Sequence, residues 1–116
     1  MASPSFVNIQ SKDKAVLARI DCRELNHETT DKMKEALRAV SVEHPNQSMV
    51  LDLSQVEFIP SLALGAMVEV HHIYRKAGRK LILAGVVPKA LEVMKLSSLD
   101  NLFDIYDDVQ TAMTQA

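Results

Sequence analysis

Few side chains in this sequence have a type and placing that could do chemistry: Ser61, Asp52, the adjacent pair His71 and His72, and Cys22. Ser61 follows an apolar strand and a short turn and stands just before a helical stripe. That spacing puts it at an N-cap, with unpaired backbone N–H groups ahead of it. As a structural cap it would contribute about 1 kcal/mol over alanine. Asp52 closes the same strand, and functional groups do collect at strand ends in α/β sheets. No second titratable group stands at a matching spacing, so the simpler role is to accept hydrogen bonds from turn backbone near Ser54. There is no Gly-x-Gly-x-x-Gly, no Walker loop and no Gly-x-Ser-x-Gly elbow. His71 and His72 are neighbours on a helix, so their rings diverge by about 100° and cannot share one metal well. His27 and His44 are scattered, and no Cys/His ligand spacing occurs. The histidines are expected to be solvated, with no metal and no cofactor bound. Cys22 has only Arg23 as a cationic neighbour and reads as a small buried or edge residue, not a nucleophile. The chain is therefore not expected to be an enzyme.

The elements that must position these groups follow from apolar spacing. Met49–Leu53 is too short for a buried helix and ends in turn residues, which indicates a buried strand. Val56, Phe58 and Ile59 are expected to keep the connection packed, and Pro60 pushes Ile59 towards an extended conformation. From Leu62 the period is helical, with Ala63, Ala66, Met67, Val70, Tyr74 and Ala77 on one stripe. Leu64 and Val68, four residues apart, lie beside that stripe. Leu64 suits core packing and Val68 suits a partner-facing patch, with Leu62 bordering it.

Upstream, residues 6–10 and 15–20 form two short strands across a polar loop, an antiparallel hairpin. Asn26 caps a first helix whose buried face is Met33, Ala36, Leu37 and Val40. Glu28 and Lys32 form an i,i+4 pair. Downstream, Gly78 ends the long helix. Residues 81–84 are another buried strand. Pro88 opens a short helix carrying Leu91, Met94 and Leu96 inward. Residues 97–101 are a loop and residues 102–106 a last strand. Asp107 and Asp108 cap a final helix with Val109, Ala112 and Met113 inward. Strands alternating with helices predict an α/β fold, mostly parallel with right-handed crossovers, and the opening hairpin makes the sheet mixed.

With 116 residues the chain fits one small domain, and 47% apolar residues suffice for a core. Only 4% are aromatic and Trp is absent, so that core is aliphatic with Met filler. The formal net charge is −2 with both signs interspersed, so no basic field for non-specific nucleic-acid binding is visible. Apolar runs fall far short of a membrane span, no signal-peptide pattern opens the chain, and a lone cysteine forms no internal disulfide. These features predict a cytoplasmic protein without direct membrane insertion.

Four stretches resemble one family. Asp52-Leu-Ser-Gln-Val-Glu-Phe-Ile-Pro-Ser-Leu-Ala-Leu-Gly-Ala-Met67 is similar to the signature of the STAS domain, the anti-sigma factor antagonist family. Glu24-Leu-Asn26 resembles the segment before that family's first helix, with Arg23 for Gly and Asn26 for Asp. Ala77-Gly-Arg-Lys-Leu-Ile-Leu-Ala-Gly85 resembles its Gly-Gly-apolar strand. Val93–Ile105 resembles its Leu-Ser-Gly-Leu ending, with Ser98 in place of Gly. The resemblance spans about residues 5–114 as one STAS domain, with residues 1–4 a flexible N-terminus. It implies a mixed, mostly parallel sheet of about five strands, with about four helices packed mainly on one face.

The resemblance also implies a function: a non-catalytic, partner-switching protein that binds an anti-sigma factor which is also a serine kinase. It implies phosphorylation of Ser61 by that kinase, reversal by a phosphatase, and ATP held by the kinase and not by this chain. Pro60 and Ala63 replace the usual Asp and Gly beside the phosphoacceptor. The implied docking surface is Pro60, Ser61, Leu62, Leu64 and Val68, with the nearby linker Leu25 and Asn26. The alternative is a STAS scaffold that binds without being phosphorylated, as a subunit of a lipid-transport ABC system or a stress-sensing complex. A monomer or a weak homodimer through Val68 fits either reading.

Overall fold

A computed structural model describes residues 4–116. The elements in chain order are β1 (Val7–Ser11), β2 (Ala15–Ile20), α1 (His27–Glu43), β3 (Ser48–Asp52), α2 (Ser61–Lys76), β4 (Leu81–Ala84), α3 (Pro88–Leu96), a 3₁₀ turn (Leu99–Asn101), β5 (Asp104–Tyr106) and α4 (Val109–Thr114). The flexible end expected over residues 1–4 falls largely on residues 1–3, which lie outside the described residues; the carbonyl of Pro4 accepts from the Val7 N–H at 3.0 Å.

The strands form one sheet in the order β1-β2-β3-β4-β5. β1 pairs antiparallel with β2, and every other pairing is parallel, with Ala15 opposite Ser48, Met49 opposite Leu81 and Ile82 opposite Asp104. β3 and β4 lie between helices on both faces, which is why they read as unbroken apolar runs. Alternation divides their side chains: Met49, Leu51, Leu81 and Leu83 join the core under α1, α2 and α3, while Val50, Ile82 and Ala84 meet α4 on the opposite face. Three helices thus cover one face and a single short one the other.

The caps follow the sequence. The Asn26 side chain accepts from the Thr29 N–H at 2.9 Å, and the Thr29 hydroxyl accepts from the Asn26 N–H at 2.8 Å, closing a capping box. Glu28 and Lys32 meet at 3.0 Å. Asp108 caps α4 by accepting from the Thr111 N–H at 2.7 Å. Gly78 turns the chain out of α2 at φ +71°, a conformation that costs glycine nothing. Ser98 holds φ +60° without that freedom.

Several expectations change. Ala77, placed on the buried stripe, is the exposed C-cap of α2. Leu96 is 87% exposed, because Ala90 and Met94 hold the inward face of α3 and Leu96 lies about 200° around the helix from Met94. Leu102 ends the 3₁₀ turn and does not join β5, which starts at Asp104. Among the described residues no helix is long and apolar enough to cross a membrane.

Candidate functional site

The tip of α2 is built by the connection from β3. Asp52, almost fully buried, turns its carboxylate onto the Ser54 N–H at 3.0 Å and folds the chain off the end of the strand. Val56 and Ile59 then anchor the connection in the core. The linker before α1 runs alongside it: Arg23 and Leu25 bracket Phe58, the Arg23 carbonyl accepting from the Phe58 N–H at 3.1 Å and the Phe58 carbonyl from the Leu25 N–H at 3.4 Å. Arg23 and Glu57 close the rim with an exposed ion pair at 2.5 Å. With its backbone held on both sides and Val56 and Ile59 facing inward, Phe58 points out and is 57% exposed. It was expected to pack the connection; it stands on the surface beside Ser61.

Pro60, not Ser61, is the N-cap of α2, at φ −71° and ψ 164°. Ser61 is the first helical residue, so it does not cap the helix, and its exposed hydroxyl has no hydrogen-bond partner among the described residues. The Pro60 carbonyl accepts from the N–H groups of Ala63 and Leu64, at 2.9 and 3.1 Å. The Ser61 and Leu62 N–H groups, one and two residues into the helix, have no carbonyl a turn earlier to reach. No acidic side chain occupies the first turn, while Arg75 and Lys76 occupy the last. The start of α2 is therefore positive, bare and uncompensated.

The expected contact residues fall into three groups. Pro60, Ser61, Leu62 and Asn26 reach the surface, with Leu62 47% exposed. Leu25 and Leu64 are buried, at 2% and 4%, and support the surface from beneath, so neither side chain is available to a partner. Val68 is half-buried against the core. The spacing of α2 hid a further member: Gly65, one turn past Ser61, where an added Cβ would meet nothing within 4 Å. Ser61, Leu62 and Gly65 make a low, flat strip, and Phe58 rises at its edge.

Farther along α2, His71 is not solvated as expected. Both ring nitrogens are shielded from water without a hydrogen-bond partner, and the ring meets Phe103 edge-on at 5.4 Å between centroids. Burial, then His72 and Arg75, pull its pKa down, against the opposing charge of Asp104. Burial pushes the pKa of Tyr74, on the inner face of α2, up to about 12. Cys22 is half-buried, and burial raises its thiol. Among the described residues no three His, Cys, Asp or Glu side chains gather to hold a metal.

A model of the STAS domain family matches residues 7–112. An anti-sigma F factor antagonist of Paenibacillus polymyxa is 28% identical over 96 residues, covering 79% of this chain and 79% of that protein. The crystal structure of a candidate anti-sigma factor antagonist from Thermotoga maritima, 26% identical, superposes with a TM-score of 0.86 over 96% of this chain and 94% of that one. The cell-fate determinant SpoIIAA of Bacillus in its phosphorylated form shares the fold at 14% identity, with a TM-score of 0.70 over 94% of this chain and 97% of that one.

Proposed function

The chain belongs to the STAS domain family, and we propose that it is a non-catalytic protein-binding switch, an anti-sigma factor antagonist whose docking surface surrounds Ser61. The observation that carries this reading is the hydroxyl itself, exposed and unbonded on the first residue of α2. Beside it lie two free N–H groups, two exposed side chains, Phe58 and Leu62, and the half-buried Pro60. An anti-sigma factor that is also a serine kinase would press this flat strip and seat Phe58 in an apolar pocket. Its ATP would supply the phosphoryl group for Ser61, and a phosphatase would remove it. The protein would act in the cytoplasm.

The energetics suit a switch. Phosphorylation adds about −1.5 to −2 charge and three acceptor oxygens. At a helix start this charge is stabilised by about 0.3–1 kcal/mol, so the fold keeps its shape. A partner closed over the same atom would have to desolvate the phosphate, at several kcal/mol per ion. Since about 1.4 kcal/mol is tenfold in affinity, release of about a hundredfold or more follows.

One feature favours a second reading, a scaffold subunit that binds without being phosphorylated: Pro60 stands where the family's usual acid would flank the acceptor. Incubation with the co-purifying kinase and ATP, followed by mass spectrometry, separates the two. The switch reading expects one phosphoryl group on Ser61 and none on Ser61→Ala. Equal modification of Ser61→Ala removes the acceptor assignment, and co-purification with a membrane transporter in place of a soluble kinase favours the scaffold.

A further inference from the structure

The end of the molecule opposite Ser61 gathers cations from segments far apart in sequence. α2 ends in Arg75 and Lys76, Lys80 precedes β4, and the turn between β1 and β2 carries Lys12 and Lys14. The loop between α1 and β3 joins them. Arg79 Nη1 donates to the carbonyls of His44 and Gln47, both at 3.1 Å. The Gln47 side chain donates to the Lys12 carbonyl and accepts from the Ser11 hydroxyl. The Lys80 N–H donates to Ser48 Oγ at 3.0 Å. Lys12, Lys14, Arg75, Lys76 and Lys80 are all exposed, and among the described residues none of them takes part in an ion pair. The carboxylates at the same end include Asp13, Glu43 and, at the start of β5 beside β4, Asp104, fewer than the cations they face. A chain of net charge −2 thus carries a positive pole.

The make-up of this pole selects its partner. Four of the five cations are lysines, point charges on long stems that reach anionic headgroups without a fixed geometry. The side chain that could stack on a base, Tyr74, is fully buried under Arg79 and so gives nucleic acid no platform. Val42, 78% exposed one residue before the end of α1, adds an apolar contact at the same end. An open groove of about 690 Å³ beside Lys12 and Lys14, with Leu17, Val109 and Met113 in its lining, adds more. Basic side chains beside one exposed apolar residue, Val42, and the half-buried Leu17, Val109 and Met113 suit a charged lipid interface. We propose that this pole docks on an anionic lipid surface. The Ser61 tip, about 24 Å away along α2, stays in water and free for its protein partner.

Flotation of the intact chain with phosphatidylcholine vesicles, with or without about a third phosphatidylserine, tests the proposal. At low salt the protein should concentrate on the anionic vesicles at least about tenfold over the neutral ones, and lose this at about 0.5 M salt. Lys12→Glu, Lys14→Glu, Lys76→Glu and Lys80→Glu together should bring binding to the neutral level, while Lys32→Glu with Lys89→Glu should keep it. If the fourfold variant does not fold, Lys12→Gln with Lys14→Gln at the exposed turn should still lose binding in part. No enrichment at low salt, equal enrichment on neutral vesicles, or binding that survives these changes overturns the proposal. So does capture by duplex DNA or polyglutamate when vesicles fail.

Discussion

Replacing Ser61 separates a cap from a switch. A serine that capped α2 would cost about 0.5–2 kcal/mol when changed to alanine. Ser61 sits one residue inside the helix, with an unbonded hydroxyl, so Ser61→Ala should change stability by no more than about 0.5 kcal/mol, and helix propensity favours alanine. Ser61→Asp places a charge beside two free N–H groups in a first turn that holds no acid. It should stabilise by about 0.3–1 kcal/mol. At roughly 4 °C per kcal/mol for a domain of this size, the two variants should melt within about 2 °C of the parent and about 1–4 °C above it, respectively. In about 1 M salt, where the Debye length is about 3 Å, the second gain should shrink. Calorimetric titration with the partner should show the opposite ranking, with Ser61→Asp about a hundredfold weaker and Ser61→Ala close to the parent. If Ser61→Ala lowers Tm by more than about 4 °C, the hydroxyl is holding the fold and the reasoning fails. It fails equally if Ser61→Asp binds like the parent.

Three further outcomes concern Gly85, Ser98 and His71. Gly85 holds φ +68°, and an added Cβ would lie 2.9 Å from that of Ser54, so Gly85→Ala should destabilise by at least about 2 kcal/mol in urea unfolding. Ser98→Gly should raise stability by about 0.5–1 kcal/mol, since relief of about 1–2 kcal/mol at φ +60° outweighs about 0.4–1 kcal/mol of added chain entropy; an unchanged urea midpoint would count against the strain. The lowered pKa of His71 means that the unfolded chain takes up the proton more readily. Its contribution to stability is complete above about pH 6.5 and is lost as pH falls from there towards the folded pKa. His71→Phe should flatten the drop in Tm between about pH 7 and pH 5, and an unchanged slope would mean that His71 does not cause it.

Tertiary contacts mark where the sequence was legible and where it was not. β2 and β4 lie where expected to the residue, because each is an apolar run ended by turn residues, and burial on one or both faces leaves little choice of register. Asn26 and Asp108 cap as expected because a cap is a local bond, made within three residues. His71 failed for the opposite reason. Its cover is Phe103, 32 positions away, brought in by the 3₁₀ turn after α3, and no pattern within α2 encodes that approach.

The misplacement at Ser61 is a single position, and that position decides its chemistry. Periodicity locates a helix only to within a residue or two: the buried Ala63 and Leu64 mark its first turn but not which residue before them is the cap. Within that margin, one choice gives a serine bonded to its own backbone and the other an idle one. Pro60 resolves it physically: its φ, fixed near −70°, and its extended ψ place the boundary on the proline itself, and having no side-chain acceptor it leaves the helix start without a cap. A serine in the capping position would stabilise α2, as Asn26 does for α1. Giving up that stabilisation leaves the start of α2 free to accept whatever charge arrives there. Phe58 is missed in the same way. Its apolar character predicts burial, yet the bonds that Arg23 and Leu25 make to its backbone turn its ring outward. Both errors fall on one small patch but have different sources: Ser61 is a one-residue shift of the helix boundary, and Phe58 is an apolar side chain held out of the core by its backbone bonds. A surface kept bare and apolar at a cost to the fold is what a docking site needs.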